Sequence, residues 1–402
     1  MRVVVLGVAC ALVAACATAP GVTGPSAIPS GESLSTPSAV AWSSTFGPAP
    51  TAAPGMARLQ PADGAYFGLN LDWGHETADE ASASLGRTPA VWVQFASFPL
   101  DDATRTGLEG FIDQVAGVHG MALITLEPHG GLATVTDAAA ADLGDLLARV
   151  WAEHGVPTFV RFAHEMNGAW YPWSQQPAQY VEAFRRVARA VHERSPSSAM
   201  IWAPNEGSGY PYVGQQYAAA SGSVEAAALD TDHDGDVDGD DDPYAPYYPG
   251  DEAVDWIGVS LYHWGIAYPW GENEMPRPGT SEALIRGVET RSEGAPKPDL
   301  YATYADGHVK PMAIIETAIL YDPSGPASGP SERALKTAWF QQVFSSSTRH
   351  DFPRIGMLNW FEWRKVEPEV GRVIDSRLAA DPALARSLLD GVPAGWLRFA
   401  GD

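Results

Sequence analysis

Short β-rich runs alternate with longer amphipathic segments along most of this chain, and this alternation constrains the fold more than any other feature of the sequence. Between the runs, apolar residues recur at three- and four-residue steps, which is the spacing of one face of a helix. The β-rich runs cover residues 66–72, 90–96, 121–126, 158–163, 199–203, 254–262, 311–316 and 355–361. The clearest predicted helices cover residues 104–118, 138–154, 177–193 and 331–344.

Strand and helix alternating eight times over roughly 320 residues predict one α/β domain, a (β/α)8 TIM barrel, in which functional side chains project from the carboxyl ends of parallel strands. A doubly wound open sheet is the main alternative. No Gly-x-Gly-x-x-Gly motif follows any of the runs, so the commonest reason to prefer an open sheet is missing.

The first residues of the chain predict export. One positive charge, Arg2, precedes an apolar run that is too short for a membrane span, which is typical of a signal peptide at residues 1–16. The run ends in Val13-Ala-Ala-Cys16, which resembles a bacterial lipobox, so we expect cleavage before Cys16 and a lipid on that cysteine. An ordinary signal, cleaved near residues 17–19, is the alternative. The other cysteine, Cys10, lies within the signal, so the mature domain is expected to hold no disulfide.

The segment that follows, residues 17–60, is dominated by Ala, Pro, Ser, Thr and Gly and predicts a flexible linker before a catalytic domain at residues 61–402. No later stretch approaches 18 uninterrupted apolar residues, so we expect contact with the membrane through the lipid anchor alone, on the outer side of the cytoplasmic membrane.

The net charge of −24 excludes nucleic acid as a partner, whereas a neutral glycan meets no such repulsion. We expect a monomer.

The segment Arg161-Phe-Ala-His-Glu-Met-Asn-Gly-Ala-Trp-Tyr-Pro-Trp173 leaves the end of the fourth run with a carboxyl, an imidazole, an amide and three aromatic rings. Such rings suit the carbon–hydrogen faces of sugars. Glu165 ends this run and Glu316 ends the seventh, and a closed barrel places both ends around one cavity. A retaining glycosidase needs two carboxyls about 5–5.5 Å apart, one to protonate the leaving oxygen and one to attack the anomeric carbon.

Four blocks in order resemble those of glycoside hydrolase family 26, the β-mannanase family: Arg161–Trp170, Tyr247–Val259, Pro311–Thr317 and Trp360. The resemblance covers about residues 64–380. It implies a (β/α)8 barrel that hydrolyses a polysaccharide with retention, β-1,4-mannan being the leading substrate. It also implies that catalysis needs no cofactor.

Position by position, the resemblance implies that Glu165 is the acid/base and Glu316 the nucleophile. Tyr262 matches the tyrosine expected near the nucleophile, and Trp360 matches the platform under the reacting ring. The other residues expected to bind substrate are His164, Asn167, Trp170, Trp173, Asn205 and Glu127. Structural alternatives stay open: His164 and Glu127 suit core packing equally well. Trp173 and the further tryptophans Trp264, Trp270 and Trp363 suit packing in the core or at the rim.

The pair Asn205-Glu206 is a competing candidate, because it resembles the pair that carries the acid/base in related barrel hydrolases. It lies on the fifth run, so Glu165 on the fourth is favoured.

Substrate choice also stays open between mannan, mixed-linkage β-1,3-1,4-glucan and β-1,3-xylan. A non-catalytic glycan-binding protein and an enzyme that trims the cell's own exopolysaccharide are further alternatives.

An acidic loop lies within an insertion at about residues 222–246. Its spacing is that of a calcium loop, with Gly235 at the sixth position where the chain turns sharply. We expect a structural Ca²⁺ there, although the acid at the last position is shorter than the usual glutamate, and a solvated acidic insertion is the alternative. The predicted ligands are Asp230, Asp232, Asp234, Asp236, Asp238 and Asp241.

Overall fold

Eight parallel strands close into a barrel in a computed structural model that describes residues 46–266, 270–288 and 295–402. Neighbouring strands pair in chain order, and the first also pairs with the eighth, which closes the sheet and excludes the open-sheet alternative. Each predicted run lies on one of these strands. They are β1 (Ala65–Leu71), β2 (Val91–Ser97), β3 (Met121–Glu127), β4 (Thr158–Phe162), β5 (Ser198–Trp202), β6 (Trp256–His263), β7 (Met312–Ile319) and β8 (Ile355–Glu362).

Helices follow the strands and cover the outside of the barrel. Side chains at the helix starts accept backbone N–H bonds, as Thr77 and Asp101 do, which fixes where those helices begin. The four helices predicted from periodicity are confirmed to within two residues at each end. The helices are α1 (Ala78–Leu85), α2 (Asp102–Gly117), α3 (Asp137–His154), α4 (Pro177–Arg194), α5 (Val224–Leu229), α6 (Thr280–Ile285), α7 (Glu332–Val343), α8 (Ser346–Asp351) and α9 (Pro382–Asp390).

The barrel interior is apolar at the amino-terminal ends of the strands and polar at their carboxyl ends. Large apolar side chains such as Phe159, Ile201 and Trp256 fill the lower half without exposed surface. Above them lie Arg161 and Ser260, both fully buried. The polar groups of the interior therefore lie toward the carboxyl ends of the strands, where TIM barrels hold their functional groups.

The described end of the predicted linker contacts the bottom of the barrel. The indole of Trp256 donates to the carbonyl oxygen of Arg58 at 2.7 Å, and Leu59 packs against the lower interior cluster. Trp151 donates to the carbonyl oxygen of Gly47 at 3.3 Å. Residues 46–60 are thus attached to the domain and are not a free spacer. The predicted signal peptide and Cys16 lie outside the described residues.

Two further features complete the chain. A hairpin of β9 (Arg364–Glu367) and β10 (Arg372–Asp375) follows β8 at the mouth, and β11 (Leu397–Arg398) pairs with β1. The last helix, α9, lies in the C-terminal tail. Within the described ranges, no helix is both long and apolar enough to cross a membrane.

Candidate active site

A β-bulge turns Glu316 into the barrel. Val259 pairs with Ile314 whereas the next residue, Ser260, pairs with Glu316, so β7 carries one extra residue at Ile315. Ile315 belongs to the interior cluster, and strict alternation would then send Glu316 outward toward the helices. The bulge restores an inward direction to Glu316, and the outward position falls to Thr317 instead.

Two donors hold the carboxylate of Glu316. The guanidinium of Arg161, which has no exposed surface, donates to Oε2 at 2.6 Å. The hydroxyl of Tyr262 donates to Oε1. Arg161 also donates to the hydroxyl of Ser260 at 2.6 Å, which fixes its guanidinium plane. A charged and a neutral donor on separate oxygens suit an ionised carboxylate and aim its lone pairs.

Glu165 follows β4 in a backbone conformation that large side chains rarely adopt, with φ of +53°. Its N–H donates to the carbonyl oxygen of Ala203 at 2.9 Å, and its carbonyl accepts from Gly168 at 2.8 Å. Its carboxyl accepts from the indole of Trp170 at Oε2, at 2.9 Å, and from the amide of Asn205 at Oε1, at 3.2 Å. This local strain is held by the surrounding bonds and places the carboxyl at the mouth.

Burial raises the pKa of Glu165, and the negative charge of nearby Glu316 raises it further. The charge of Arg161 and hydrogen bonds from Ser260 and Asn205 oppose that rise without cancelling it. Glu165 and Glu316 are therefore neighbours in one cavity with different surroundings. Glu316 is paired with the cation Arg161. Glu165 is desolvated, and its raised pKa favours the protonated form. This contrast is the pattern that separates a base or nucleophile from an acid.

Four of the predicted contact residues line or border this cavity. Trp170, Asn205 and Tyr262 contact the two carboxyls directly and are each partly exposed. Glu127 ends β3 half-buried, with a carboxylate oxygen 3.5 Å from the His129 ring.

His164 lies deeper, bonded to the Tyr171 hydroxyl at 3.2 Å. Burial, and then the charge of Arg161, lower its pKa well below the usual value, so the ring is neutral.

The structure corrects three predicted sugar contacts. Trp360 was expected to be the platform, but it has no exposed surface and its indole donates to the carbonyl oxygen of Ser376 at 2.7 Å. Because Met357 faces the interior, alternation along β8 sends Trp360 outward, where its ring lies 5.9 Å from that of Phe340 on α7. The inward aromatic residue is Phe361, which stacks with Trp363 at 5.9 Å beside Tyr262.

The other two corrections concern Trp173 and Asn167, which are both fully buried. Trp173 donates to the carbonyl oxygen of His164 and stacks on Tyr171 at 4.5 Å, so it packs the loop after β4 from beneath. The amide of Asn167 is used entirely on the backbone of Asn205, with two bonds of 2.8 Å. Asn167 therefore ties the ends of β4 and β5 together and does not reach the cavity.

The competing acid Glu206 is occupied elsewhere. Its carboxylate accepts from the N–H and the hydroxyl of Ser208, at 2.8 and 2.9 Å, and caps a short turn. Glu165 is thus the better candidate of the two. Sequence reasoning missed Arg161 and Ser260, and also Tyr212, whose hydroxyl lies 3.1 Å from Oδ1 of Asn205 and whose ring meets that of Trp170. Counting back by two-residue steps from Tyr262 along β6 would have found Ser260, but nothing in the sequence marked Tyr212.

The acidic loop brings together only half of its predicted ligands. Oxygens of Asp230, Asp232 and Asp234 lie within 4.8 Å of one another, and they form the one such group in the described part of the chain. Asp241 is only 2% exposed and accepts bonds from Thr231, at 2.5 and 3.0 Å, and from the N–H of Asp238 at 2.9 Å. Asp236, Asp238 and Asp241, the other predicted ligands, lie outside this group.

No known protein-family model matches the sequence. The fold is similar to that of an endo-β-1,4-mannanase double mutant from Cellulomonas fimi, with a TM-score of 0.52 and 16% identity, over 84% of this chain and 73% of that one. It is also similar to an engineered protein, with a TM-score of 0.51 and 16% identity over 84% and 71% of the two chains. At such identities the similarity shows the fold alone.

Among curated sequences, Endoglucanase H from Acetivibrio thermocellus is 23% identical over 137 residues. The match spans 31% of this chain and 12% of the length of that relative. The activity is therefore argued below from the cavity itself.

Proposed function

We propose that this protein is a glycoside hydrolase, a retaining endo-β-glycanase whose leading substrate is β-1,4-mannan. One observation carries the proposal: two carboxyls from β4 and β7 share one cavity, and each has a different electrostatic setting. The resemblance to family 26 and the fold shared with a mannanase support the same reading.

In the first half of the reaction, Glu316 attacks the anomeric carbon of the bound sugar and the glycosidic bond breaks. Glu165 delivers its proton to the departing oxygen at the same time, which is why a raised pKa is useful. In the second half, Glu165 takes a proton from water as that water attacks the anomeric carbon. Glu316 then leaves as a carboxylate, held by Arg161 and Tyr262.

Aromatic side chains at the mouth supply the sugar-binding surface. Trp170 lies beside Glu165, and Phe361 and Trp363 lie on the β8 side next to Tyr262. Such rings bind sugars through apolar contacts. The acidic net charge of the chain therefore does not oppose binding of a neutral polysaccharide. Mixed-linkage β-1,3-1,4-glucan and β-1,3-xylan fit the same chemistry, and mannan is preferred through the resemblance.

A non-catalytic glycan-binding protein is the alternative from a different class. It would need the aromatic surface but neither the bulge that aims Glu316 nor the strained backbone of Glu165. These two features favour the enzyme. Trimming of an exopolysaccharide would use the same residues and differs only in the polymer that is cleaved.

The test is a reducing-sugar assay over mannan, mixed-linkage glucan, β-1,3-xylan and exopolysaccharide, with wild type, Glu316→Ala and Glu165→Ala. We expect turnover of mannan by wild type and a loss of at least about 10³-fold in Glu316→Ala, with an unchanged circular dichroism spectrum. Azide should give Glu316→Ala a route to an α-glycosyl azide, because the anion fills the space left by the carboxylate. Glu193→Gln, at the exposed end of α4, is the control that keeps full activity.

Three outcomes separate the alternatives. Binding without turnover by the wild type would make the protein a glycan-binding module. Turnover of another polymer would move the substrate but keep the mechanism. Full activity in Glu316→Ala would remove that residue from the nucleophile role.

We further propose that the protein is exported and anchored by a lipid on Cys16, on the basis of Val13-Ala-Ala-Cys16 alone. Labelled palmitate should enter the wild-type protein in a bacterial host and not the Cys16→Ser variant. Release of an unlabelled wild-type protein into the medium would support the ordinary signal instead.

A structural Ca²⁺ at the acidic loop is also proposed. The three clustered carboxylates offer the oxygen ligands that calcium prefers, and they repel one another without a cation. Asp230, Asp232 and Asp234 would hold the ion, which would order the loop and take no part in the reaction. Calorimetric titration should show binding by wild type that is weakened at least about tenfold in Asp232→Asn. Equal binding by both proteins, or none by either, would contradict this site.

A further inference from the structure

We infer that Tyr212 is a positioning residue for Glu165, acting through two of the groups that hold the Glu165 carboxyl, Trp170 and Asn205. The inference rests on the proposed function, in which Glu165 is the acid. Tyr212 lies in the loop between β5 and α5, outside the segments that suggested the site from sequence.

The first contact runs through the hydroxyl. The Tyr212 hydroxyl lies 3.1 Å from Oδ1 of Asn205 and 2.8 Å from the carbonyl oxygen of Glu206. Both neighbours are acceptors, so the single hydroxyl proton is shared between Oδ1 of Asn205 and the nearer carbonyl oxygen of Glu206. The shared bond favours the orientation of the Asn205 amide in which Oδ1 lies beside the Tyr212 hydroxyl. Nδ2 of Asn205 is thereby left facing Oε1 of Glu165 at 3.2 Å.

The second contact runs through the ring. The Tyr212 ring meets the Trp170 ring edge-on, with centroids 4.8 Å apart and an angle of 75° between the planes. Trp170 donates from its indole to the other oxygen of Glu165. Because Trp170 is partly exposed, its orientation depends on the neighbour that packs against it. The Tyr212 side chain therefore supports one donor to each carboxyl oxygen of Glu165.

The loop is built to hold this tyrosine. Tyr212 has a left-handed backbone with φ of +57°, a costly conformation that must be held by its surroundings. A Cβ at Gly209 would come within 2.7 Å of the Tyr212 ring, so only glycine leaves room for it. The carbonyl oxygen of Pro211 accepts from the buried amide of Gln175 at 2.9 Å, which anchors the loop next to the strained residue.

The chemical consequence is specific to proton donation. Removing the hydroxyl lets the Asn205 amide rotate, so one donor of Glu165 is lost and the carboxyl loses its aim. A misplaced acid slows bond cleavage when the leaving oxygen needs a proton. It matters little when the leaving group is a stable anion, such as dinitrophenolate, which departs without protonation. Damage to substrate binding or to folding would slow both kinds of substrate equally.

The experiment compares wild type, Tyr212→Phe and Tyr217→Phe on mannohexaose and on dinitrophenyl β-mannobioside. Tyr217 is the control, because it lies in the same loop and its hydroxyl has no hydrogen-bond partner among the described residues. For Tyr212→Phe we expect kcat/KM to fall roughly tenfold on mannohexaose and by less than about twofold on the dinitrophenyl substrate. Tyr217→Phe should match wild type on both.

Two results would overturn the inference while leaving the proposed function standing. One is an active wild type with unchanged kinetics in Tyr212→Phe. The other is an equal fall on both substrates, which would make Tyr212 a purely structural residue. A wild type that cleaves neither these substrates nor any polymer of the panel would remove the proposed function and this inference with it.

Discussion

Arg161 is the residue that lets two carboxyls occupy one buried cavity. Its side chain has no exposed surface and donates to Glu316 and to Ser260. Water therefore does not screen its positive charge. A buried cation is costly unless it is paired, and here the pairing also fixes the shape of the cavity. Tyr262 completes the hold on Glu316 from the neighbouring strand.

The pKa of Glu165 gives a prediction whose sign follows from its neighbours. Burial and the charge of Glu316 raise this pKa above the usual value near 4.5. An acid must be protonated to act, so kcat/KM should fall as pH rises through the raised pKa. Glu316→Gln removes a negative charge and frees Arg161, and both changes lower the pKa of Glu165. NMR titration of isotope-labelled glutamate carboxyls in the two proteins measures this shift.

The control for that titration is Glu193→Gln, which removes a charge on the exposed end of α4 and should leave the pKa of Glu165 unchanged. An unchanged or higher pKa in Glu316→Gln would mean that the two carboxyls do not interact.

The positions of the strands were predictable from the sequence. Which of their side chains point into the barrel was not. Eight apolar runs separated by helical periodicity define the barrel, and their carboxyl ends locate Glu165 and Glu316. Which side of a strand faces inward depends on register, and a bulge at Ile315 changes it in the middle of β7. Trp360 lies on β8, where alternation from the inward Met357 sends it outward, and the block that contains it indicates an aromatic residue but not its direction.

The loops set a second limit on sequence reasoning. Trp173 and Asn167 lie in the same segment as Glu165, and aromatic and amide side chains serve equally well in packing and in sugar binding. Only the fold shows that both are buried. Tyr212 reaches the site from a long loop after β5, where neither periodicity nor a strand end marks it.

The outward direction of Trp360 on β8 predicts a loss of stability without a loss of activity. Trp360→Phe removes the bond to Ser376 and leaves a gap beside Phe340, which should lower the free energy of unfolding by about 1–3 kcal/mol. Urea denaturation measures this change, and KM for mannan should stay within about twofold of wild type. The matched variant is Trp363→Phe at the mouth, for which we expect a raised KM. A raised KM in Trp360→Phe instead would restore Trp360 as the platform.

In the whole molecule, the two ends of the barrel have different roles. The carboxyl ends of the strands carry the polar cavity, whereas the amino-terminal ends are closed by apolar side chains and by residues 46–60. This division agrees with the general separation of function and stability between the two faces of TIM barrels. Changes at the lower end should therefore alter stability alone.

A shortened protein that begins at Pro61 tests this division. Deleting the preceding segment leaves the buried indole of Trp256 without its acceptor and uncovers apolar surface beneath Leu59, so we expect the free energy of unfolding to fall by about 2–4 kcal/mol.

The ion pair of Arg58 with Asp255 contributes little, because its atoms are 3.9 Å apart and Arg58 is partly exposed. Arg58→Ala keeps the backbone carbonyl and should cost less than about 1 kcal/mol, which separates the two contributions. Urea denaturation gives both values, and kcat/KM should match wild type in both proteins, since the cavity lies at the opposite end. Equal stability of the shortened protein would show that the segment does not close the barrel, and lost activity with an intact fold would show that the two ends are coupled.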